Sequence, residues 1–479
     1  MTPPVRSDRQ NPNVTLFVLG LAGLVYAVVL SSVLPALPSL QHSLHVSVNG
    51  ASWILTTYLL AASVATPIIG RLGDMYGKER LLVWTLAGLA VGTALAALSN
   101  SIVLLDIARV IQGAGGGIVP LSFGIVRDEF PRERVAGSIG LLASMLGIGG
   151  GIGIVLAGVI LEHLSWQWLF WIPLIPTLAA MVLAYFFVPE SPVRTPAKIN
   201  WLAALLMAVG ISTLLLAISQ ATSWGWASPR TLGLLGGGVL ISAGWVLWEL
   251  RSTVPLVDMQ MMRLRPVWTT NLAATLIGGP SYALFVIVPQ FVQEPRSTGY
   301  GLGASVLASA LFLLPFSVML LLMSLQAGRI ARRFGSMAAL LAGAVASATG
   351  FAALLVAHTQ PIDFYAALAL SGMGLGLAYS ALGNLIVDAV PRTQTGVASG
   401  VNAVMRTLGG ALGTAVVATL IASETRNGRP LEHGFMLAFA VSAGLLVISM
   451  AAGLLIPGRR VEHAELGLEV AVEKALEHV

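Results

Sequence analysis

The sequence contains no cysteine and few charged residues. In a chain of 479 residues, the absence of cysteine excludes disulfides and thiolate metal sites. Charged residues make up 10% and hydrophobic residues 56%, whereas about 25% of the residues in soluble domains are charged. The N-terminal segment carries no signal-peptide pattern, and the chain lacks the Gly-rich phosphate loop of ATP-driven proteins. We therefore expect a membrane protein that is not an enzyme, uses no ATP and holds no cofactor or metal.

Long apolar stretches are what the sequence has in abundance. Fourteen of them, each about twenty residues long, could cross a bilayer as helices. They begin near Val14, Ala51, Leu81, Ser101, Val135, Trp166, Trp201, Thr231, Val267, Gly303, Met337, Ile362, Thr395 and Gly434. After the last stretch, the tail from Val461 to Val479 has glutamates at helical spacing and is predicted to be a solvated helix, with a partner-docking helix as the alternative.

Arginine and lysine are concentrated in alternate gaps between these stretches. Of the 26 basic residues, twenty fall in one set of gaps and two, Arg109 and Arg406, fall inside stretches. The other set of gaps contains only Arg230, Arg296, Arg426 and Arg429. The positive-inside rule therefore predicts a multi-pass protein of the plasma membrane with both termini in the cytoplasm. The net charge of +5 fits loops that face anionic membrane lipid, and we expect no nucleic-acid partner.

The chain also repeats itself at an offset of 260 residues. The segment 131–153 aligns with 391–413, which places Gly149 over Gly409 and Gly153 over Gly413. A second echo joins 70–77 to 328–335. This predicts an all-α membrane protein of two six-helix bundles related in parallel. The bundles would be 1–190 and 267–460, with a linker and an inserted helix pair at 191–266 and a cytoplasmic tail at 461–479. We expect a monomer.

Five passages carry recognisable motifs. Gly70, Asp74, Gly77 and Arg80 form a loop pattern after the second stretch. The others are Trp53–Leu60 in helix two, Ala108–Gly113 in helix four, Ser165–Phe170 at helix six and Trp224–Trp226 before helix eight. Together they resemble the major facilitator superfamily, in its fourteen-helix drug:proton antiporter branch, over Val14 to about Pro457. The resemblance implies a secondary transporter that exports hydrophobic or amphiphilic small molecules, such as drugs and natural products, by proton antiport and alternating access.

Two motif positions depart from this branch. Its helix-one acid is replaced by Val29, and a proline of its helix-five motif is replaced by Ile154. The resemblance ties Arg109 to proton coupling, and Asp106 lies on the same helical face three residues earlier. We therefore expect Asp106 and Arg109 to form the embedded charge centre of the first half, although Arg109 could instead only hold helices together.

The loop motif is expected to act in gating, and the glycines of helix five are candidates for it. The resemblance implies that Asp74 holds the cytoplasmic face closed. Met75 and Glu79 replace basic residues of the family motif, so fewer positive charges surround Asp74 than is usual for the family. The alternative for Asp74 is a solvated loop charge. Close helix packing is the expected role of the helix-five glycines, with a flexible gating hinge as the alternative. The gating residues are Gly70, Asp74, Gly77, Arg80, Gly149, Gly150 and Gly153.

A second set of residues is predicted to bind the substrate. These polar or aromatic residues within stretches are Tyr26, Trp53, Tyr58, Gln112, Asn271, Tyr282, Asn384, Asn402 and Arg406. Packing or anchoring at the membrane interface is the alternative for each aromatic. Arg406 is expected to line a central cavity and to bind a polar or acidic part of the substrate, or a side chain such as Asn384.

The expected partners are a small-molecule substrate, protons and membrane lipid. Three other functions remain open. The protein could be a facilitator without proton coupling, which Val29 and Ile154 favour. It could be specific for a lipid or metabolite, or it could be a non-transporting membrane sensor.

Overall fold

The computed structural model describes residues 11–191, 199–426 and 429–456. Within these ranges, fourteen helices are long and apolar enough to cross a membrane, which confirms the expected number and the all-α fold class. The predicted tail helix from Val461, and basic residues such as Arg6, Lys198 and Lys474, lie outside the described residues.

The first half contains six membrane spans, and its fourth span is broken. The helices are α1 Pro12–Ser31, the short α2 Leu37–Ser43, α3 Val48–Tyr76, α4 Lys78–Ala97, α5 Ile102–Gln112, α6 Ile118–Glu129, α7 Arg132–His163 and α8 Trp168–Phe187. A 3-10 turn, Gly113–Gly117, joins α5 to α6 within one span. The break follows from close approach, since a side chain at Gly113 would lie 2.8 Å from the backbone nitrogen of Ala62 on α3.

The rest of the chain supplies eight further spans. The elements are α9 Trp201–Trp224, α10 Pro229–Arg251, the short α11 Met259–Arg263, α12 Arg265–Gln293, α13 Val306–Phe312, α14 Leu314–Phe334, α15 Ser336–Val356, α16 Pro361–Asp388, α17 Thr395–Ser423, the antiparallel strands β1 Thr425–Arg426 and β2 Arg429–Pro430, and α18 Glu432–Leu454. The sequence predicted that the span formed by α13 and α14 begins near Gly303. In the structure the span begins after this residue. Gly303 belongs to the preceding loop, because its φ is +64° and its N–H donates to the Glu294 carbonyl at 2.8 Å.

The repeat seen in the sequence recurs in the packing. Helix α7 packs on α1 in the first half, and α17 packs on α12 in the second. A methyl group at Gly149 would lie 2.6 Å from the Leu24 carbonyl oxygen of α1, and one at the aligned Gly409 would lie 2.6 Å from the Thr275 carbonyl carbon of α12. The aligned glycines therefore allow the same close helix contact in each half.

The inserted pair α9 and α10 covers one edge of the seam between the halves. Helix α9 contacts both α3 and α17. By contrast, only 11% of the 18-residue apolar stretch of α10 is buried. The Trp-Gly-Trp passage explains the attachment. Gly225 ends α9 with a φ of +87°, and the Trp226 indole donates to the Thr419 hydroxyl of α17 at 2.8 Å.

Candidate functional site

The two halves meet where α3 ends, through the carboxylate of Asp74. Its Oδ1 accepts the backbone N–H of Gly396 at 3.2 Å and its Oδ2 accepts that of Val397 at 3.1 Å. Both donors lie in the first turn of α17, a helix whose own N-cap, Gln394, supplies no side-chain hydrogen bond. Asp74 thus caps a helix of the other half, where a negative charge is favoured by the helix dipole.

Lys78 completes this contact, and the sequence interpretation missed it. Its ammonium lies 3.4 Å from Asp74 Oδ1 and 2.7 Å from Asp128 Oδ2, with all three side chains fully buried. Arg80, which the interpretation chose, is 61% exposed and pairs with Glu190 at 2.9 Å outside the contact. The signal for Lys78 was its place in the loop motif, directly after the Gly77 turn and four residues after Asp74.

Arg127 adds hydrogen bonds from the first half to the same part of the second. Its guanidinium donates to the Val390 carbonyl at 2.6 Å, the Pro391 carbonyl at 3.2 Å and the Thr395 hydroxyl at 2.7 Å. These acceptors lie at the entry to α17, next to the Asp74 contact. Arg127 therefore helps to close this side of the molecule.

The second repeat closes the same side from its own loop. Arg332, which aligns with Asp74, donates to the Glu133 carbonyl at 3.1 Å near the start of α7. Asn384, predicted to bind substrate or Arg406, donates instead to the Ala136 carbonyl of α7 at 3.2 Å. Both repeats thus contribute to one closed face, which we call the Asp74 side and which is formed by the contacts of Asp74, Lys78, Arg127, Arg332 and Asn384.

The predicted gating glycines differ in what surrounds them. Gly70 packs directly on the backbone of Gly396, and Gly77 turns the chain from α3 into α4 with a φ of 111°. Gly149 and Gly153 pack on α1, which fits the packing role. Gly150 has room, since a methyl group there would approach only the Phe285 ring, at 3.7 Å.

Arg109 is fully buried in the first half and bonds to backbone carbonyls. Its Nε donates to the Ile54 carbonyl at 3.2 Å, and its Nη1 donates to the Val29 carbonyl at 3.3 Å. Nη1 also donates to Gln112 Oε1 at 2.7 Å, and Gln112 in turn donates to the Thr93 hydroxyl at 3.0 Å. Arg109 therefore reaches the very position, Val29, at which related transporters are expected to carry an acid.

Asp106 is near Arg109 but not in contact with it. Within the described chain the two form no ion pair, and Asp106 Oδ1 has no hydrogen-bond partner. Thr57 of α3 is its side-chain hydrogen-bond partner, and the residue, about one turn inside α5, is partly exposed although its Oδ1 is buried. The predicted charge centre is thus two separate groups, a buried cation and a more accessible carboxylate.

In the middle of the protein, side chains of both halves gather into what we call the central cluster. It consists of Tyr26, Tyr58, Arg109, Tyr282, Tyr379 and Arg406. The Arg109 guanidinium lies 4.2 Å from the Tyr58 ring centre, and that of Arg406 lies 5.2 Å from the Tyr379 ring centre.

The remaining predicted substrate residues are not among the members of the cluster. Asn402 donates to Asn271 Oδ1 at 2.9 Å, so these two buried amides satisfy each other between α12 and α17. Trp53 is partly exposed near the start of α3. The structure therefore brings together Tyr26, Tyr58, Tyr282 and Arg406, and uses the asparagines in helix packing.

Comparison with known proteins decides the family. The family model described as "Major Facilitator Superfamily" matches residues 19–414. The chain belongs to the major facilitator superfamily. Members of this superfamily are transporters and not enzymes, and the match confirms the fold and family expected from the sequence motifs.

Relatives of this transporter carry names that refer to drug resistance and export. A "Tetracenomycin C resistance and export protein" of Streptomyces glaucescens is 30% identical over 89% of this chain and 79% of its own length. "Multidrug resistance protein Stp" of Mycobacterium tuberculosis is 27% identical over 81% of this chain and 72% of its own. Among solved structures, the human organic anion transporter MFSD10 superposes with a TM-score of 0.67 at 17% identity, covering 93% of this chain and all of that one, which shows a shared fold.

Proposed function

We propose that this protein exports amphiphilic organic molecules by proton antiport, with the two halves alternating between open states. The observation that carries the proposal is the combination of a closed Asp74 side with a partly exposed central cluster. Asp74, Gly396 and Asn384 are buried, whereas Tyr26 and Arg406 keep partial exposure between the halves. This difference in exposure fits a cavity that opens away from the Asp74 side.

The proposal places the protein in the plasma membrane with the Asp74 side in the cytoplasm. The excess of basic residues in the loops of that side supports this orientation. The chain has no cysteine, so cysteines introduced singly can be labelled from outside intact cells. We expect labelling at Ala227, before α10, and protection at Arg132, the first residue of α7; the reverse pattern would contradict the orientation.

Asp106 is the proposed proton carrier. It is the carboxylate nearest to Arg109, the residue is partly exposed, and its buried Oδ1 lacks a hydrogen-bond partner among the described residues. A carboxylate that is accessible in one state and enclosed in the other can take up and release a proton as the halves move. In the transporter branch that this chain resembles, an acid in helix one serves this purpose. In this chain that position is Val29.

The test is transport by purified protein in liposomes, with proton flux followed by a trapped pH dye. Labelled naphthylacetate, naphthylacetamide and naphthylethylammonium serve as probes, because they share one ring system and differ in charge. In the wild type, an imposed pH gradient should drive at least one probe against its concentration gradient, with proton movement in the opposite direction.

Replacing Asp106 separates coupling from transport. Asp106→Asn should abolish gradient-driven transport and leave exchange of probe down its gradient. Glu162→Gln, at the exposed end of α7, is the matched control and should keep both. Normal uphill transport by Asp106→Asn would eliminate Asp106 as the proton carrier, and a wild type indifferent to the gradient would favour the uncoupled facilitator that Val29 suggests.

A further inference from the structure

The charges placed deepest in the membrane spans are cations. In the described ranges, Arg406 lies near the middle of α17 and Arg109 lies about two turns inside α5. Asp106 is about one turn inside its span, and the other carboxylates of the described chain lie at or near helix ends or in loops. Since an ionised side chain in this zone is costly, a surplus of cations there marks a functional site.

Arg406 is a cation without a counter-charge. It forms no hydrogen bond and no ion pair with any described residue, and its guanidinium lies 5.2 Å from the centre of the Tyr379 ring. It is not turned to lipid, because that ring belongs to α16 and because Tyr26 of the opposite half is within its electrostatic range. Its N–H donors are therefore free toward the space between the halves.

Arg109 is the buried cation of the first half. Its Nη2 is buried and has no hydrogen-bond partner within the described ranges, although its other nitrogens are bonded. The Tyr58 ring lies 4.2 Å from the guanidinium and stacks on Tyr26 at 6.3 Å. Tyr26 is an electrostatic neighbour of both Arg109 and Arg406, so the two cations lie near one tyrosine-rich region between the halves.

We propose that this space selects aromatic amphiphiles that carry one negative charge, with Arg406 as the contact of the anionic group. The inference deepens the proposed export function and rests on it. A carboxylate or sulfonate would accept the free N–H groups of Arg406 in a charge-assisted hydrogen bond, and the tyrosine rings would enclose the aromatic part. A cationic ligand of the same shape meets two positive charges, and a neutral one gains no ion pair.

Binding of the three naphthyl probes to the purified full-length protein tests this inference separately from coupling. Labelled naphthylacetate is bound by protein held on scintillation beads, and unlabelled naphthylacetamide and naphthylethylammonium compete with it. We expect the anion to bind about tenfold tighter than the neutral amide, and the cation to bind weakest. Arg406→Gln should bring the anion-to-amide ratio close to one, whereas Arg406→Lys should keep part of the preference. Arg230→Gln, at the exposed start of α10, is the control with the same loss of charge.

The outcomes distinguish the two proposals. Equal or tighter binding of the cation, no binding of any probe, or an anion preference that survives Arg406→Gln in a normally folded variant would overturn the anion site. Anion binding without gradient-driven transport would contradict proton antiport and leave the anion site standing. Gradient-driven transport of the cation alone would support proton antiport and contradict the anion site.

Discussion

At the scale of single residues, the Asp74 side depends on one buried cation. Lys78 lies between the carboxylates of Asp74 and Asp128, and the Ser191 hydroxyl donates to Asp128 Oδ2 at 2.5 Å. Two buried carboxylates close to one ammonium are tolerable because the charge is shared and hydrogen bonds satisfy both oxygens of Asp74 and Oδ2 of Asp128, whereas Asp128 Oδ1 has no partner among the described residues.

Removing this cation should cost stability. Lys78→Met leaves Asp74 and Asp128 buried without a partner charge, which we expect to lower the free energy of unfolding by about 3–5 kcal/mol. Thermal unfolding of the purified protein in detergent measures the loss. Arg80→Gln removes a cation two residues away that is 61% exposed, so its unfolding temperature should stay close to the wild-type value. An equal effect of both changes would show that burial of Lys78 is not the cause.

How far the sequence predicts the contacts of a residue depends on the groups to which that residue bonds. The position of Asp74 followed from its motif, and the buried placement of Arg109 from its apolar neighbours. The partners of Arg109 did not follow, because they are main-chain carbonyls of Val29 and Ile54, which any residue type supplies. Arg406 was expected to bind a polar or acidic part of the substrate or a side chain such as Asn384, and Asn384 donates instead to the Ala136 carbonyl.

At the scale of elements, close contact between helices in each half relies on glycine. Gly149 and Gly409 lie at aligned positions and let α7 and α17 approach α1 and α12, respectively. Such contacts rely on small residues because apolar side chains gain little by leaving lipid for protein.

A pair of neighbouring glycines tests this packing. In Gly149→Ala, the new methyl group would lie 2.6 Å from the Ala27 side chain and from the Leu24 carbonyl oxygen. We expect a loss of about 1–3 kcal/mol in stability, the usual cost of overpacking. Gly150→Ala puts the same methyl group 3.7 Å from the Phe285 ring and should be tolerated. Thermal unfolding again measures the difference, and a more damaging Gly150→Ala would refute the assignment of faces.

The helices themselves were predictable, but their internal breaks were not. Runs of about twenty apolar residues are enough to identify membrane helices, and all fourteen were found near the expected positions. The breaks between α5 and α6 and between α13 and α14 lie inside apolar runs, where hydropathy does not change. Only the glycine-rich segment Gly113–Gly117 gave a local signal for the first of them.

At the scale of the whole molecule, the repeat is symmetric in packing and asymmetric in chemistry. Asp74 and Arg332 occupy aligned positions and both reach the start of a helix in the opposite half. Only Asp74 has the charge that a helix N-terminus favours. The sequence therefore predicted the two-fold arrangement, but not which side is closed, since both states of an alternating transporter share the same helices.

An anionic substrate would also bear on the energetics of export. In a cell with a negative interior, outward movement of one negative charge is favoured by about 2.3 kcal/mol for each 100 mV of membrane potential. A transporter of such molecules would therefore depend less on a proton carried by helix one, where this chain has Val29. The anion site and the missing acid are in this way consistent with each other.

The central claim is that the halves rock about the central cluster and that Asp74 holds one side shut. Distances between paired spin labels in lipid nanodiscs test it most directly, because labels attach only at introduced cysteines. One pair, Tyr76→Cys with Arg392→Cys, spans the halves on the Asp74 side, and the other, His163→Cys with Ser297→Cys, spans the opposite side.

We predict a short distance on the Asp74 side in the wild type, and opposite changes in the two pairs when Asp74→Asn is added. An asparagine has one acceptor oxygen for the two N–H groups of Gly396 and Val397, so the Asp74 side should lengthen while the other side shortens. Arg80→Gln should change neither distance. Unchanged distances in Asp74→Asn, or lengthening on both sides together, would contradict alternating access controlled by Asp74.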